Sequence, residues 1–79
     1  MKKTIQVTEG TAIQLATIAL DGSQFISVRR MYRKKGQETW MPSRAGLTIP
    51  VEAAEQVGAY LKKMADADTS EFKELNVEE

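Results

Sequence analysis

The chain has 79 residues with a formal net charge of zero, 42% hydrophobic and 28% charged residues, and neither cysteine nor histidine. That length supports one small domain, and nine of its 33 hydrophobic residues are alanines, so a second copy of the chain is the expected source of further buried area. The missing residue types exclude disulfides, ordinary zinc sites and serine–histidine or cysteine–histidine catalysis.

In chain order, Met1-Lys2-Lys3 begins like a secretion signal. Glu9, Gly10, Gln14 and Thr17 interrupt the apolar stretch beyond it, and no cleavage site closes that stretch, so no signal peptide is expected. No stretch approaches the ~20 apolar residues of a membrane span, and an intracellular setting, cytoplasm or nucleoid, is expected. Thr4–Thr8 alternates polar and β-branched residues as a short strand does, and Glu9-Gly10 breaks it. Thr11–Leu20 admits a short helix, but Asp21-Gly22-Ser23 is a hairpin turn signal followed by the β-like run Phe25–Arg29, so a strand is preferred.

The third strand is expected from about Gln24 to Tyr32, with Ile26 and Val28 toward the core and Phe25, Ser27, Arg29 and Met31 on the opposite face. Strict alternation would carry Arg30 and Tyr32 onto the core face, which calls for a bulge, twist or strand end near there. Arg33–Gln37 reads as the next turn, with Gly36 in the left-handed position. A fourth strand is expected to start at Glu38–Met41, to be interrupted by Pro42–Gly46 and to resume at Leu47–Ile49. Pro50 then marks a helix start. Ala54, Val57, Leu61 and Met64, flanked by Ala53 and Tyr60, form one apolar stripe on a helix over about 51–65. Glu52 and Glu55 near its start and Lys62 and Lys63 near its end suit the helix dipole. Gly58 weakens it by about 1 kcal/mol relative to alanine or else admits a second helix. Residues 66–79 hold six acids and one lysine and are expected to form a mobile acidic tail.

The zero net charge conceals an uneven distribution. Residues 24–49 hold six basic residues against Glu38, whereas residues 50–79 hold three lysines against eight acids. Within the basic middle, Arg29, Arg30, Tyr32, Arg33, Lys34, Lys35, Trp40 and Arg44 interleave cations with aromatic rings. Cations neutralise phosphates and flat rings stack on unpaired bases, so this set suits a nucleic-acid single strand. The competing reading is a solvated hairpin tip with Tyr32 and Trp40 in the core. No acid–base pair stands in an apolar setting, the glycines form no phosphate-cradling loop, and the acids lack calcium-loop spacing. No enzyme activity, cofactor, metal or small-molecule substrate is expected.

The order of these elements resembles the positive cofactor four family of small coactivators that bind single-stranded DNA. The resemblance is carried by Gly22, by Phe25-Ile26-Ser27-Val28-Arg29 with Tyr32 close behind, by Gly36, by Pro42-Ser43-Arg44-Ala45-Gly46-Leu47-Thr48-Ile49, and by the helix entered through Val51-Glu52. It covers roughly residues 20–64. It implies an α+β protomer, a twisted four-stranded antiparallel sheet followed by one C-terminal helix (β-β-β-β-α), and a homodimer whose helices pack centrally beneath a basic cleft. Val57, Gly58, Leu61 and Met64 would then line the dimer interface, Arg29 would contact DNA, Tyr32 would stack, and Arg44 would be the family's first basic residue of the Pro-Gly run.

The sequence departs from the family pattern at Ala45, where a second basic residue is usual, and at Leu20, Asp21 and Ser23, where an aromatic and flanking lysines are usual. Trp40 has no clear family counterpart. The serine- and lysine-rich arm of eukaryotic members has no match here, so a microbial or phage member is expected. The resulting expectation is a single-strand-binding domain over residues 1–65 with an acidic tail over 66–79. It would bind DNA without sequence specificity in transcription, replication or recombination. The alternatives are RNA binding, or a protein-interaction module that keeps the fold with little DNA binding.

Overall fold

The computed structural model describes residues 1–74 and consists of β1 (Lys2–Gln6), β2 (Thr11–Leu20), β3 (Ser23–Tyr32), β4 (Met41–Pro50), α1 (Val51–Ala65) and a short 3-10 turn, Thr69–Glu71. The four strands form one antiparallel sheet in the order β1-β2-β3-β4. The α+β class and the β-β-β-β-α order are therefore as the sequence leads one to expect.

The β2–β3 turn is the tightest link. Leu20 pairs with Ser23 around Asp21 and Gly22, whose φ values of 51° and 79° are both positive. Two left-handed residues in a two-residue loop make a type I′ turn, whose twist matches that of the flanking strands. This turn sets a ten-pair register running unbroken from Leu20↔Ser23 to Thr11↔Tyr32. At the open end of the β1–β2 pair, the Met1 ammonium donates to Thr17 Oγ1 at 2.9 Å and ties down β1.

Two strands differ from expectation in their extent. β1 starts at Lys2 and ends at Gln6, two residues earlier than the Thr4–Thr8 pattern suggests, because its register on β2 pairs Lys2 with Ala16 and Gln6 with Ala12. Residues 38–40 are not in a strand, and Pro42–Gly46 does not interrupt β4, which runs continuously from Met41 to Pro50. Proline usually ends a central strand, but β4 is a sheet edge, where the lost donor is tolerated. The irregularity expected in β3 near Arg30 does not occur there: β3 stays in register with β2 through Tyr32, so Arg30 and Tyr32 keep to the face of Ile26 and Val28, and the bulge belongs to β4 instead. Arg29 pairs with Gly46 but Met31 pairs with Pro42, so Ser43–Ala45 bulge from β4. The Ala45 N–H donates to Ser43 Oγ at 3.1 Å within this bulge.

The register also sorts the two faces. One carries Thr4, Gln14, Ser27, Arg29 and Thr48, together with the pair Ala12↔Met31. The other carries Ile5, Ile13, Leu15, Ile26, Val28, Leu47 and Ile49, and continues into Arg30 and Tyr32. The expectation that Ile26 and Val28 face a closed core is corrected here. Among the described residues only Ala12 and Met31, on the polar face, are buried (1% and 6% exposed), whereas Ile13 and Leu47 beside Val28 are 40% and 57% exposed. The physical reason is the course of α1, which leaves the end of β4 and touches only β3 and β4 instead of folding across the sheet.

Helix α1 spans the expected residues, with Pro50 at its N-cap, Glu52 in its first turn and Lys62 and Lys63 in its last, and it buries no side chain fully. Beyond it, Asp68 caps the 3-10 turn by accepting from Ser70 N–H, and Glu71 returns a carboxylate to Asp68 N–H. The expected mobile tail begins at residue 66, so this capped turn lies inside it, while residues 75–79 lie outside the described residues.

Candidate nucleic-acid interface

The eight basic and aromatic candidates do not lie on one surface. Side chains alternate along a strand, so Arg29 projects from the polar face, whereas Arg30 and Tyr32 project from the apolar one. Arg33, Lys34, Lys35 and Trp40 belong to the β3–β4 connection, and Arg44 sits exposed on the bulge of β4. The connection that carries Arg33, Lys34, Lys35 and Trp40 thus joins the strand ends that carry Arg30, Tyr32 and Arg44, while Arg29 projects from the opposite face to Arg30 and Tyr32.

Arg29 is half-buried and held against the polar face of the sheet. Its Nη1 donates to the Ser43 carbonyl at 2.9 Å. The guanidinium lies so close to the backbone of its register partner that a Cβ on Gly46 would stand 2.8 Å from Arg29 Cζ. Gly46 thus provides the space for the arginine, and the bulge supplies the carbonyl that orients it. Sequence reasoning had no means of finding Ser43, since a main-chain carbonyl acts regardless of side-chain type.

Arg33 is likewise engaged. Its backbone N–H donates to Gly10 O at 3.1 Å and its Nε donates to Glu9 O at 2.7 Å. The guanidinium carbon stands 4.2 Å from the centroid of the Trp40 ring, within cation–π range. One arginine therefore joins the β1–β2 turn to the β3–β4 connection. Trp40 is half-buried under it, and Tyr32 is 44% exposed. Neither ring fills a closed core, contrary to the competing sequence reading. Lys34 and Lys35 are exposed, in a turn closed by Gln37 N–H to Lys34 O at 3.0 Å, with Gly36 at φ 85°. A shallow cleft between this turn and Glu9-Gly10 is lined by Arg33, Lys34, Lys35 and Glu38.

On α1, Val57, Leu61 and Met64 are exposed and line a groove with Ala53, Gln56 and Tyr60. Gly58 is exposed beside them, and a Cβ there would meet nothing within 4 Å in the protomer. No helix among the described residues is long and apolar enough to cross a membrane.

The architecture is that of the PC4 homologues, the structural class of the positive cofactor four proteins. The chain superposes on BPSL1147, a PC4 homologue from Burkholderia pseudomallei, with a TM-score of 0.71 and 20% identity, covering 84% of this chain and 88% of that one. A second crystal form of BPSL1147 gives 0.65 and 22% identity over 82% and 98% of the two chains. The bacteriophage T5 homologue of the eukaryotic transcription coactivator PC4, a protein implicated in recombination-dependent DNA replication, gives 0.53 and 19% identity over 80% and 75%. No family model and no curated sequence matches the chain.

Proposed function

We propose that this protein binds single-stranded DNA without sequence specificity, as a homodimer, in transcription, replication or recombination. The observation that carries the reading is the basic ridge at the β3–β4 end of the sheet. There Lys34 and Lys35 stand exposed next to the Arg33–Trp40 stack, and Arg30, Tyr32 and Arg44 occupy the adjoining strand ends. Cations of this kind neutralise successive phosphates, and partly exposed rings accept any base. With Arg29 and Arg33 bonded to carbonyls, the phosphate contacts fall chiefly to Arg30, Lys34, Lys35 and Arg44. The fold shared with PC4 homologues supports the same reading.

Dimerisation is supported by α1, whose apolar stripe of Val57, Leu61 and Met64 is left exposed by the described residues. The binding unit in this reading is residues 1–65. The acidic segment from residue 66 competes with DNA for the basic ridge, so a chain ending at residue 65 should bind more tightly at low salt.

Fluorescence anisotropy with labelled oligo-dT of ~20 nucleotides, a length chosen to exceed one typical binding site, tests the proposal. Saturable binding that weakens with salt, with duplex DNA a poor competitor, is the expected result. An absence of binding at low salt would overturn it, and stronger binding to oligo-U would reassign the ligand to RNA.

A further inference from the structure

We infer that Arg33 and Trp40 together form a stacking subsite for one unpaired nucleobase, in which Arg33 is a positioning residue for the indole and not a phosphate ligand. The inference rests on the single-strand reading above and refines it.

Trp40 directly precedes β4 but lies outside it. Residues 33–34 and 37–40 lie outside every strand, so no ladder of backbone hydrogen bonds orients the indole. Arg33 takes over that task. Its own backbone is pinned to Gly10 O, its Nε is pinned to Glu9 O at 2.7 Å, and its planar group lies 4.2 Å from the ring centroid. Three of its interactions are thus committed to the protein, in contrast to Lys34 and Lys35, which are exposed at the tip.

A guanidinium lying on an indole also polarises and immobilises it, which lowers the entropy lost when a base stacks there. The ring retains part of its surface in solvent, beside the two lysines that would carry the neighbouring phosphates. An arginine is required in this role. Its flat fork stacks and donates from Nε at the same time, whereas a lysine is a point charge on a flexible stem.

Trp40 is the single tryptophan of the chain, so its emission reports this subsite alone. In the full chain, oligo-dT is expected to quench Trp40 emission on binding. Arg33→Ala and Arg33→Lys should both abolish most of that quench and weaken binding by about tenfold, in the range of one lost base stack. The dependence of log affinity on log salt should stay unchanged in both. Lys34→Ala or Lys35→Ala should instead flatten that slope by ~0.7 each, the value for one phosphate contact on a single strand, and leave the quench intact. Trp40→Ala should weaken binding as much as Arg33→Ala, and the double variant should be no worse than either single one. Circular dichroism checks that each variant retains its sheet.

Restoration of quench and affinity by Arg33→Lys would show that charge alone matters and overturn the inference, as would a flattened salt slope in Arg33→Ala or an emission unmoved by DNA that does bind. If the wild-type chain binds no oligo-dT, the single-strand reading itself falls and the subsite falls with it.

Discussion

Arg29 lies against the backbone of Gly46 and donates to Ser43 O across a bulge, so three residues on two strands act as one unit. A methyl group at position 46 would sit 2.8 Å from Arg29 Cζ, the far end of a side chain that can swing aside. Gly46→Ala should therefore cost little more than the displaced hydrogen bond, about 1 kcal/mol. Arg29→Ala should cost a similar amount, and the double variant should lose no more than the worse single one. Urea unfolding of the three variants measures this. Additive losses would show that Arg29 and Gly46 act independently. The same residue scale separates the two committed arginines from the exposed cations, a distinction that charge counting does not make.

The β2–β3 hairpin and α1 show opposite kinds of dependence at the scale of elements. The hairpin is determined locally, because Asp21 and Gly22 adopt the paired left-handed conformations that a two-residue loop needs. A Cβ on Gly22 would meet nothing within 4 Å. Gly22→Ala is thus a backbone test free of packing, with an expected stability loss of roughly 1–2 kcal/mol. Equal stability in a thermal melt would contradict the turn assignment. α1 gains little from the protomer, and Leu61 at 64% exposure touches mostly solvent. If the proposed dimer packs through α1, Leu61→Glu should leave the protomer's own packing unharmed and convert the dimer to a monomer, which sedimentation velocity reads directly. A wild-type chain that sediments as a monomer would overturn the proposed dimer, and a variant that stays dimeric would place its contact elsewhere.

At the scale of the whole molecule the protomer is open. Its Cα radius of gyration is 15.1 Å, against roughly 12 Å for a compact domain of this length. Its accessible surface is 7263 Å², against roughly 4,800 Å² for a compact monomer of this mass. A groove of about 430 Å³ lined by Val7, Ile13, Val28 and Leu47, with Arg30 beside them, adds to this uncovered apolar surface. A chain that buries so little of itself should derive much of its stability from association. Its thermal midpoint is therefore expected to rise with protein concentration over a hundredfold range, by mass action. A midpoint independent of concentration would mean that the protomer is stable alone.

Much of the architecture was legible in local chemistry. Asp-Gly set the central hairpin, the apolar spacing of Ala54, Val57, Leu61 and Met64 located α1, and the excess of cations in residues 24–49 pointed to the β3–β4 end. These features were readable because each depends on neighbours within a few positions: a turn's φ angles, a helix's 3.6-residue period, a run of like charge.

The elements and their order thus follow from the chain read locally. The folded sheet was needed to establish that β4 runs unbroken through Pro42, that the face of Ile26 and Val28 stays open, and that Arg29 and Arg33 are bound to the carbonyls of Ser43 and Glu9. Each of these is a relation between distant segments. The partner atoms are backbone groups common to all residues, or an edge position defined by which strand lies outermost. No residue type marks such a partner in advance; it exists only once the strands have found their register.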